Sequence, residues 1–251
     1  MSTLHNAAEV LRCFGSGCAY VTVTEVAARL GLPKASASRL LRAMREAGML
    51  EVIGDTKRHR PGRMMLDLAA AFRHSSRLIT RASEVVGEAT RRFGHTGYVS
   101  LREGREVTAV ADFEGTNALR VVSNIGRRLA ADKSATGRSL LARLTDGQVA
   151  ALFHGRAGLD RLLAEVARVR AQGYAFSHQE STPGVDGIAV AVADPATDEA
   201  VSLCIVYPST LVTLLQRDAM IAALAKGASE IAAAVRDDAF TFPRLKSEKI
   251  P

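Results

Sequence analysis

Cysteine is scarce in this chain: Cys13, Cys18 and Cys204 are three in 251 residues. An odd, sparse set with neither CxxC nor zinc-finger spacing excludes a disulfide framework and a structural zinc site. His5 with Cys13 and Cys18 comes nearest to a metal cluster, but the two cysteines straddle a helix end and read as packing residues. Long apolar runs are also missing. The start, MSTLHNAAEVLRCF, carries Glu9 and Arg12 inside its apolar periodicity, and no run approaches the roughly 20 residues that cross a bilayer. Neither secretion nor a membrane span is expected, and a reducing cytoplasm fits. There is no Gly-rich phosphate loop, no Walker sequence, no His-x-x-x-His pair and no internal repeat. No cofactor or metal is expected.

What is present is apolar content for real cores, 47% of residues, and a net charge of +7. The charge is unevenly spread. Residues 1–77 hold 12 Lys and Arg against 6 Asp and Glu, while residues 78–251 hold 21 against 20. This implies a basic module that meets a polyanion, joined to a nearly neutral module with another task. Nucleic acid leads a membrane surface as the polyanion, because the cations are mostly arginines on short helices and a loop without a leucine-rich or aromatic face beside them.

Apolar spacing predicts a helix over 3–14, on Leu4, Ala7, Ala8, Leu11 and Phe14. Thr24 is placed as the N-cap of a short helix over EVAARL, closed by Gly31. Pro33 suits the first turn of the next helix, which runs to about Ala47 and stops at Gly48. Two helices joined by so short a turn form a helix-turn-helix. MLEVIGDTKRHRPGRMM then alternates, turns at Gly54–Asp55 and returns with cations, a hairpin that would be a wing. The fold class is α+β. A winged helix-turn-helix domain is expected over 1–64, a linker helix over 65–77, an α/β domain over 78–240 and a loose tail over 241–251. In the second domain strands are expected in YVSLREGREVTAVADF, ALRVVSN, GYAFS, GIAVAVAD and AVSLCIVY. Helices are expected over about 136–144, 159–171 and 213–236, around an antiparallel or mixed sheet.

In GLPKASASRLLRAMREAGML, Ala37, Leu40, Leu41, Met44 and Ala47 share one side of a helical wheel. Lys34, Ser38, Arg42 and Arg45 line the other, with Arg39 beside them. That polar face, about 20 Å long, suits the major groove, where Arg and Lys donate to guanine edges. Lys34, Ser36, Ser38 and Arg39 are candidates for base edges, Arg42 lies at the margin, and Ala35 lets the backbone approach. Thr24 on the preceding helix joins this set. Lys57, Arg58 and Arg60 on the wing would hold phosphates or enter the minor groove.

The segment VTVTEVAARLGLPKASASRLLRAMREAGMLE resembles the winged helix-turn-helix of the IclR family of bacterial transcription regulators. LRVVSNIGRRLAADKSATGRSLLA, VRAQGYAFSHQESTPGVDGIAVAVAD and the closing helix resemble that family too, so the likeness covers about residues 4–236. It implies a homodimer, often paired into a homotetramer, on a roughly palindromic double-stranded DNA operator. Its C-terminal domain would bind a small metabolite that alters operator binding. The resemblance places Ser134, Ala135, Thr136 and Gly137 at the effector site, where N–H groups at a helix start suit an anion; Lys133 and Arg138 could add charge. It also places Ser177, Gly187, Cys204 and Val206 there, with Glu180 and Asp194 at family positions. Where the family often has a side chain or a hydroxyl, this chain has Gly187, Cys204 and Val206, and Ala193 stands where an aromatic or His is usual. A roomier, less polar cavity is expected, for an effector larger or more apolar than a small keto acid: an aromatic or amide-bearing organic acid.

The rival class is a hydrolase-like metabolic enzyme with a DNA-binding appendage, because His178, Ser181 and Asp186 contain the members of a triad. Three residues in one loop beside a Pro-Gly turn are better read as turn chemistry, so no catalytic residue is assigned. A purely architectural DNA binder would not need a nearly neutral second domain.

Overall fold

Caps and apolar spacing fix the elements of the chain, whose computed structural model describes residues 2–15, 18–122 and 128–243. They fall into two units that divide between Ser75 and Ser76. The first contains α1 (Thr3–Gly15), α2 (Val23–Leu30), α3 (Lys34–Glu46), β1 (Leu50–Val52), β2 (His59–Pro61) and α4 (Met64–Ser75). Val10, Cys13, Val26, Ala37, Leu41, Met44 and Leu50 form its core. Truncating a side chain such as Leu41 to Ala would cost about 2–5 kcal/mol. Cys13 is thus a packing residue, and burial raises its thiol pKa. Cys18 is exposed, which corrects the sequence reading of it as packing.

The start of α2 is also corrected. Its N-cap is Thr22, not Thr24: Thr22 Oγ1 accepts from the Glu25 N–H, and the Glu25 carboxylate accepts from the Thr22 N–H at 2.7 Å. The reason is the capping box, which needs an acidic or amide side chain three residues after the cap. Thr22 has Glu25 there; Thr24 has Ala27. Gly31, at φ +63°, ends α2 in the left-handed conformation that glycine adopts without strain. Pro33 stands at the N-cap position of α3, one residue before the first turn. β1 and β2 pair antiparallel with Glu51 opposite Arg60, and Val21 bridges His59 on the other side. No residue of α4 is buried.

The second unit begins where Ser76 caps α5 (Arg77–Phe93) by accepting from the Ile79 N–H at 3.0 Å. It continues with β3 (Thr96–Glu103), β4 (Glu106–Phe113), β5 (Arg128–Ala130), a 3-10 turn (Ala131–Lys133), α6 (Ala135–Leu141), α7 (Asp146–Leu152) and α8 (Leu159–Gln172). β6 (Ala175–His178), β7 (Val185–Asp194), β8 (Glu199–Pro208) and α9 (Leu214–Val235) complete it. The sheet order is β5-β4-β3-β8-β7-β6, and every pairing is antiparallel. Strand side chains alternate between faces. Ile188, Val190, Leu203 and Ile205 meet α5 and α9 in one core; Ala189 and Cys204 meet Ala135 and Val169 on the other face.

The strand expected in ALRVVSN is not there: residues 118–122 are irregular, 123 and 124 lie outside the described residues, and the edge strand is β5, paired with β4. Edge pairing to β4 outweighs the local β-propensity of Val121 and Val122. The helix expected over about 136–144 is shorter, and α7 follows it, capped by Thr145 and Gln148 in a second capping box.

Candidate functional site

In the first unit α3 buries Ala37, Leu40, Leu41 and Met44 and leaves Lys34, Ala35, Arg39, Arg42 and Arg45 exposed, with Ser36 and Ser38 half-buried between them. One helix face therefore presents four cations and two hydroxyls. Among the described residues Arg39 makes only a long contact, with Ser36 at 3.5 Å, which leaves it available to a partner. Thr24 is exposed on α2.

The wing is less simple than its charges suggest. Lys57 is exposed at the hairpin end. The Arg58 guanidinium lies 4.1 Å from the centroid of the Tyr20 ring, a cation–π contact that presets its direction. Arg60 Nε donates to Glu51 at 2.6 Å. Arg60 is therefore half-neutralised by its cross-strand neighbour. The alternation of the hairpin contains this pairing, but composition alone does not show it. His59 faces inward, and burial lowers its pKa.

In the second unit a cavity of about 210 Å³ opens between the α6 face of the sheet and the loop before β7. Thr136, Ser177, Gly187, Cys204 and Val206 all stand in its wall. Strand register explains the convergence: Ser177 pairs with Gly187, Gly187 with Val206, and Cys204 with Tyr98 on successive strands. Sequence reasoning missed Tyr98, Ser100, Val107 and Ala109, which reach the same wall from β3 and β4. Their two-residue spacing was the available signal. Val121, Val122, Leu129, Ser181, Thr182, Val185 and Asp186 complete the lining. Cys204 takes a hydrogen bond with Thr136, and burial pushes its thiol up to about 11, so it is neutral at physiological pH.

Ser134, Ala135 and Gly137 do not line this cavity. Ser134 is the N-cap of α6, accepting from the Gly137 N–H at 3.0 Å, so that donor is taken. Gly137 is small for packing: a Cβ there would lie 2.2 Å from Ala131 backbone atoms. The two cations expected nearby are not in the wall either. Lys133 is exposed on the 3-10 turn. Arg138, 5% exposed, donates through Nη1 and Nη2 to both Glu180 oxygens at 2.7 Å, and through Nη2 to the Phe176 carbonyl at 2.6 Å. The Arg138 hydrogen bonds in turn hold the Glu180 carboxyl below its ordinary pKa. This fork ties α6 to the loop that carries Ser181 and Thr182.

His178 Nδ1 lies 2.8 Å from Asp186 Oδ1, across paired strands. Its Nε2, the atom a serine nucleophile would need, lies 3.3 Å from the Gln179 amide nitrogen. Among the described residues no cluster of three or more His, Cys, Asp or Glu is arranged to hold a metal. A further cavity, of about 290 Å³, lies between α6, α8 and residues 239–241. Its arginines are engaged, Arg143 with Asp237 and Arg170 with Asp146 and two carbonyls.

Comparison with known proteins agrees with this geometry. Residues 3–54 match the IclR helix-turn-helix domain, and residues 70–233 match the family described as bacterial transcriptional regulator IclR C-terminal. The HTH-type transcriptional regulator XynR of Escherichia coli (strain K12) is 26% identical over 202 residues, 76% of this chain and 80% of that one. The transcriptional repressor IclR of the same strain is 24% identical over 206 residues, 77% and 75% of the two chains. Among solved structures, an IclR transcriptional regulator from Silicibacter sp. has a TM-score of 0.82 at 22% identity, covering 97% of this chain and 98% of its own. An IclR homolog from Microbacterium hydrocarbonoxydans, complexed with 4-hydroxybenzoate, has a TM-score of 0.79 at 21% identity, covering 94% and 100%. With a basic helix-turn-helix in one unit and both family descriptions matched in order, this chain belongs to the IclR family of bacterial transcriptional regulators.

Proposed function

We propose that the chain binds a roughly palindromic operator as a homodimer or homotetramer in the bacterial cytoplasm, and that a small organic effector in the second unit changes its affinity for that operator. The carrying observation is the convergence of Thr136, Ser177, Gly187, Cys204 and Val206 on one cavity. At about 210 Å³ it is below the roughly 300–1,000 Å³ of drug-sized ligand sites, so it suits a single ring better than two. Its apolar side, with Val107, Val122, Leu129 and Val206, suits a ring better than a keto acid of two or three carbons. The 4-hydroxybenzoate complex of the Microbacterium homolog supports a ligand of that size.

On the DNA side, Lys34, Ala35, Ser36, Ser38, Arg39 and Arg42 would meet the major groove. Thr24, Lys57 and Arg58 would meet the backbone, and Arg60 would contribute less because of Glu51. Pairing of two chains is supported by Met64, Leu66, Leu68 and Phe72 of α4, all exposed in the single chain. Two recognition helices would then enter groove turns about 34 Å apart. Regulation rather than catalysis is the reading supported by the relatives, which are named as regulators. Thermal-shift screening of small organic acids, amides and alcohols tests the effector reading. Stabilisation by glyoxylate or pyruvate alone would overturn the proposed ring-sized ligand.

A further inference from the structure

Taking the first unit to bind DNA through α3 and the wing, we propose that Tyr20, in the segment between α1 and α2, is a positioning residue that makes Arg58 the strongest backbone contact of the wing. The inference rests on that DNA-binding reading and goes further, to how one wing cation is aimed. The segment before α2 joins the hairpin: the Val21 N–H donates to the His59 carbonyl and the His59 N–H to the Val21 carbonyl, both at 2.8 Å. Val21 and His59 are buried, so strand alternation turns Tyr20, Arg58 and Arg60 to the outer face. By this pairing Arg58 stands diagonally across from Tyr20, a spacing that aromatic and long side chains span. Its guanidinium carbon lies 4.1 Å from the centroid of the half-buried Tyr20 ring.

Lys57, Arg58 and Arg60 are held in three different ways. Lys57 is exposed at the hairpin end, and among the described residues no side-chain partner aims it. Arg60 is aimed, but it shares its charge with Glu51 at 2.6 Å. Arg58 is aimed by a ring that has no net charge, so its positive charge remains whole. Among the described residues no group accepts from the Arg58 guanidinium, and a contact with a ring leaves the donors of its planar fork to phosphate oxygens. An arginine already directed gives up less rotamer freedom when it meets a phosphate, so Tyr20 raises affinity without touching DNA itself.

The experiment follows the full chain by fluorescence anisotropy on an operator selected from random DNA, and reads both affinity and the slope of log affinity against log salt. Wild type is compared with Tyr20→Leu, Tyr20→Phe, Arg58→Ala and the double variant Tyr20→Leu/Arg58→Ala. Arg58→Ala should weaken binding and lower the salt slope by about one. Tyr20→Leu should weaken binding by about 3-fold, the scale of one long side chain left to be ordered on binding. It should keep the slope, since the charge remains, and should have no effect once Arg58 is Ala. Tyr20→Phe, which keeps the ring, should match wild type. Equal losses from Tyr20→Leu in both backgrounds would make Tyr20 merely structural and overturn the inference, as would no loss at all. If Arg58→Ala binds as wild type does, the wing contact falls and this inference falls with it, while Arg39→Ala judges α3 separately. If Tyr20→Leu fails to fold, pentafluorophenylalanine at position 20 decides, since it keeps the ring shape and reverses the quadrupole. It should bind about 3-fold more weakly than Tyr20→Phe, and equal affinity would overturn the inference.

Discussion

Arg138 and Glu180, 42 residues apart in sequence, meet through two hydrogen bonds of 2.7 Å that fix the start of α6 to the loop before β7. Because this pairing lowers the pKa of Glu180 in the folded chain, its contribution is complete above the unfolded carboxyl value near 4.3. It is lost as pH falls through that value towards the lower folded one. Glu180 is 42% exposed, so solvent screening limits the effect to about 1 kcal/mol. Urea unfolding at pH 7 and pH 4 should show this loss in wild type and a smaller one in Glu180→Gln. Arg138→Ala should cost more, about 2–3 kcal/mol at pH 7, since the partly buried Phe176 and Asp132 carbonyls also lose a donor.

Two glycines of the second unit should respond oppositely to alanine. At Gly137 a Cβ meets the Ala131 backbone at 2.2 Å, so Gly137→Ala should destabilise by about 3 kcal/mol or prevent folding. A glycine in an ordinary helix would gain from the same change. At Gly187 the nearest atom to a new Cβ is the Ser177 hydroxyl at 3.1 Å, which can rotate away. Gly187→Ala should therefore stabilise by about 0.5 kcal/mol through the unfolded chain while narrowing the cavity. Thermal unfolding of the two variants checks both signs, and ligand titration of Gly187→Ala should show weaker binding.

On α3 and the wing, equal charge should not mean equal effect. Arg39→Ala and Arg42→Ala should each weaken specific operator binding by about 1–3 kcal/mol, the range for a lost base contact. Arg60→Ala, whose partner is Glu51 at 2.6 Å, should lose less than either. Fluorescence anisotropy on an operator selected from random DNA, at fixed salt, measures all three. Equal losses at Arg39 and Arg60 would contradict the division of labour.

Much of this was legible in the sequence where one local rule decides. Gly31 and Gly48 ended helices as glycine does, and the alternation around Gly54–Asp55 gave the hairpin. The misplaced cap at Thr24 shows a local rule applied two residues late, since the pattern Thr22-x-x-Glu25 was present. Other features depend on contacts between distant segments. Val121 and Val122 have strand-forming side chains but stay irregular, because β4 pairs with β5 instead. The small residues at 134–137 suggested a ligand approach, whereas Gly137 is small because the Ala131 backbone lies against it. Arg138 looked like a spare cation until the fold brought Glu180 to it. Gly187 and Val206 converge because strand register puts them side by side.

The central claim is that occupancy of the cavity in the second unit changes what α3 does. Its most direct test is operator affinity measured with and without a ligand that calorimetry shows to bind the chain, in wild type and in a cavity-filling variant, Val206→Phe. The account predicts a change of about 10-fold or more in wild type, a coupling of about 1.4 kcal/mol, and none in the variant. A ligand that saturates the cavity and leaves operator affinity unchanged would contradict it.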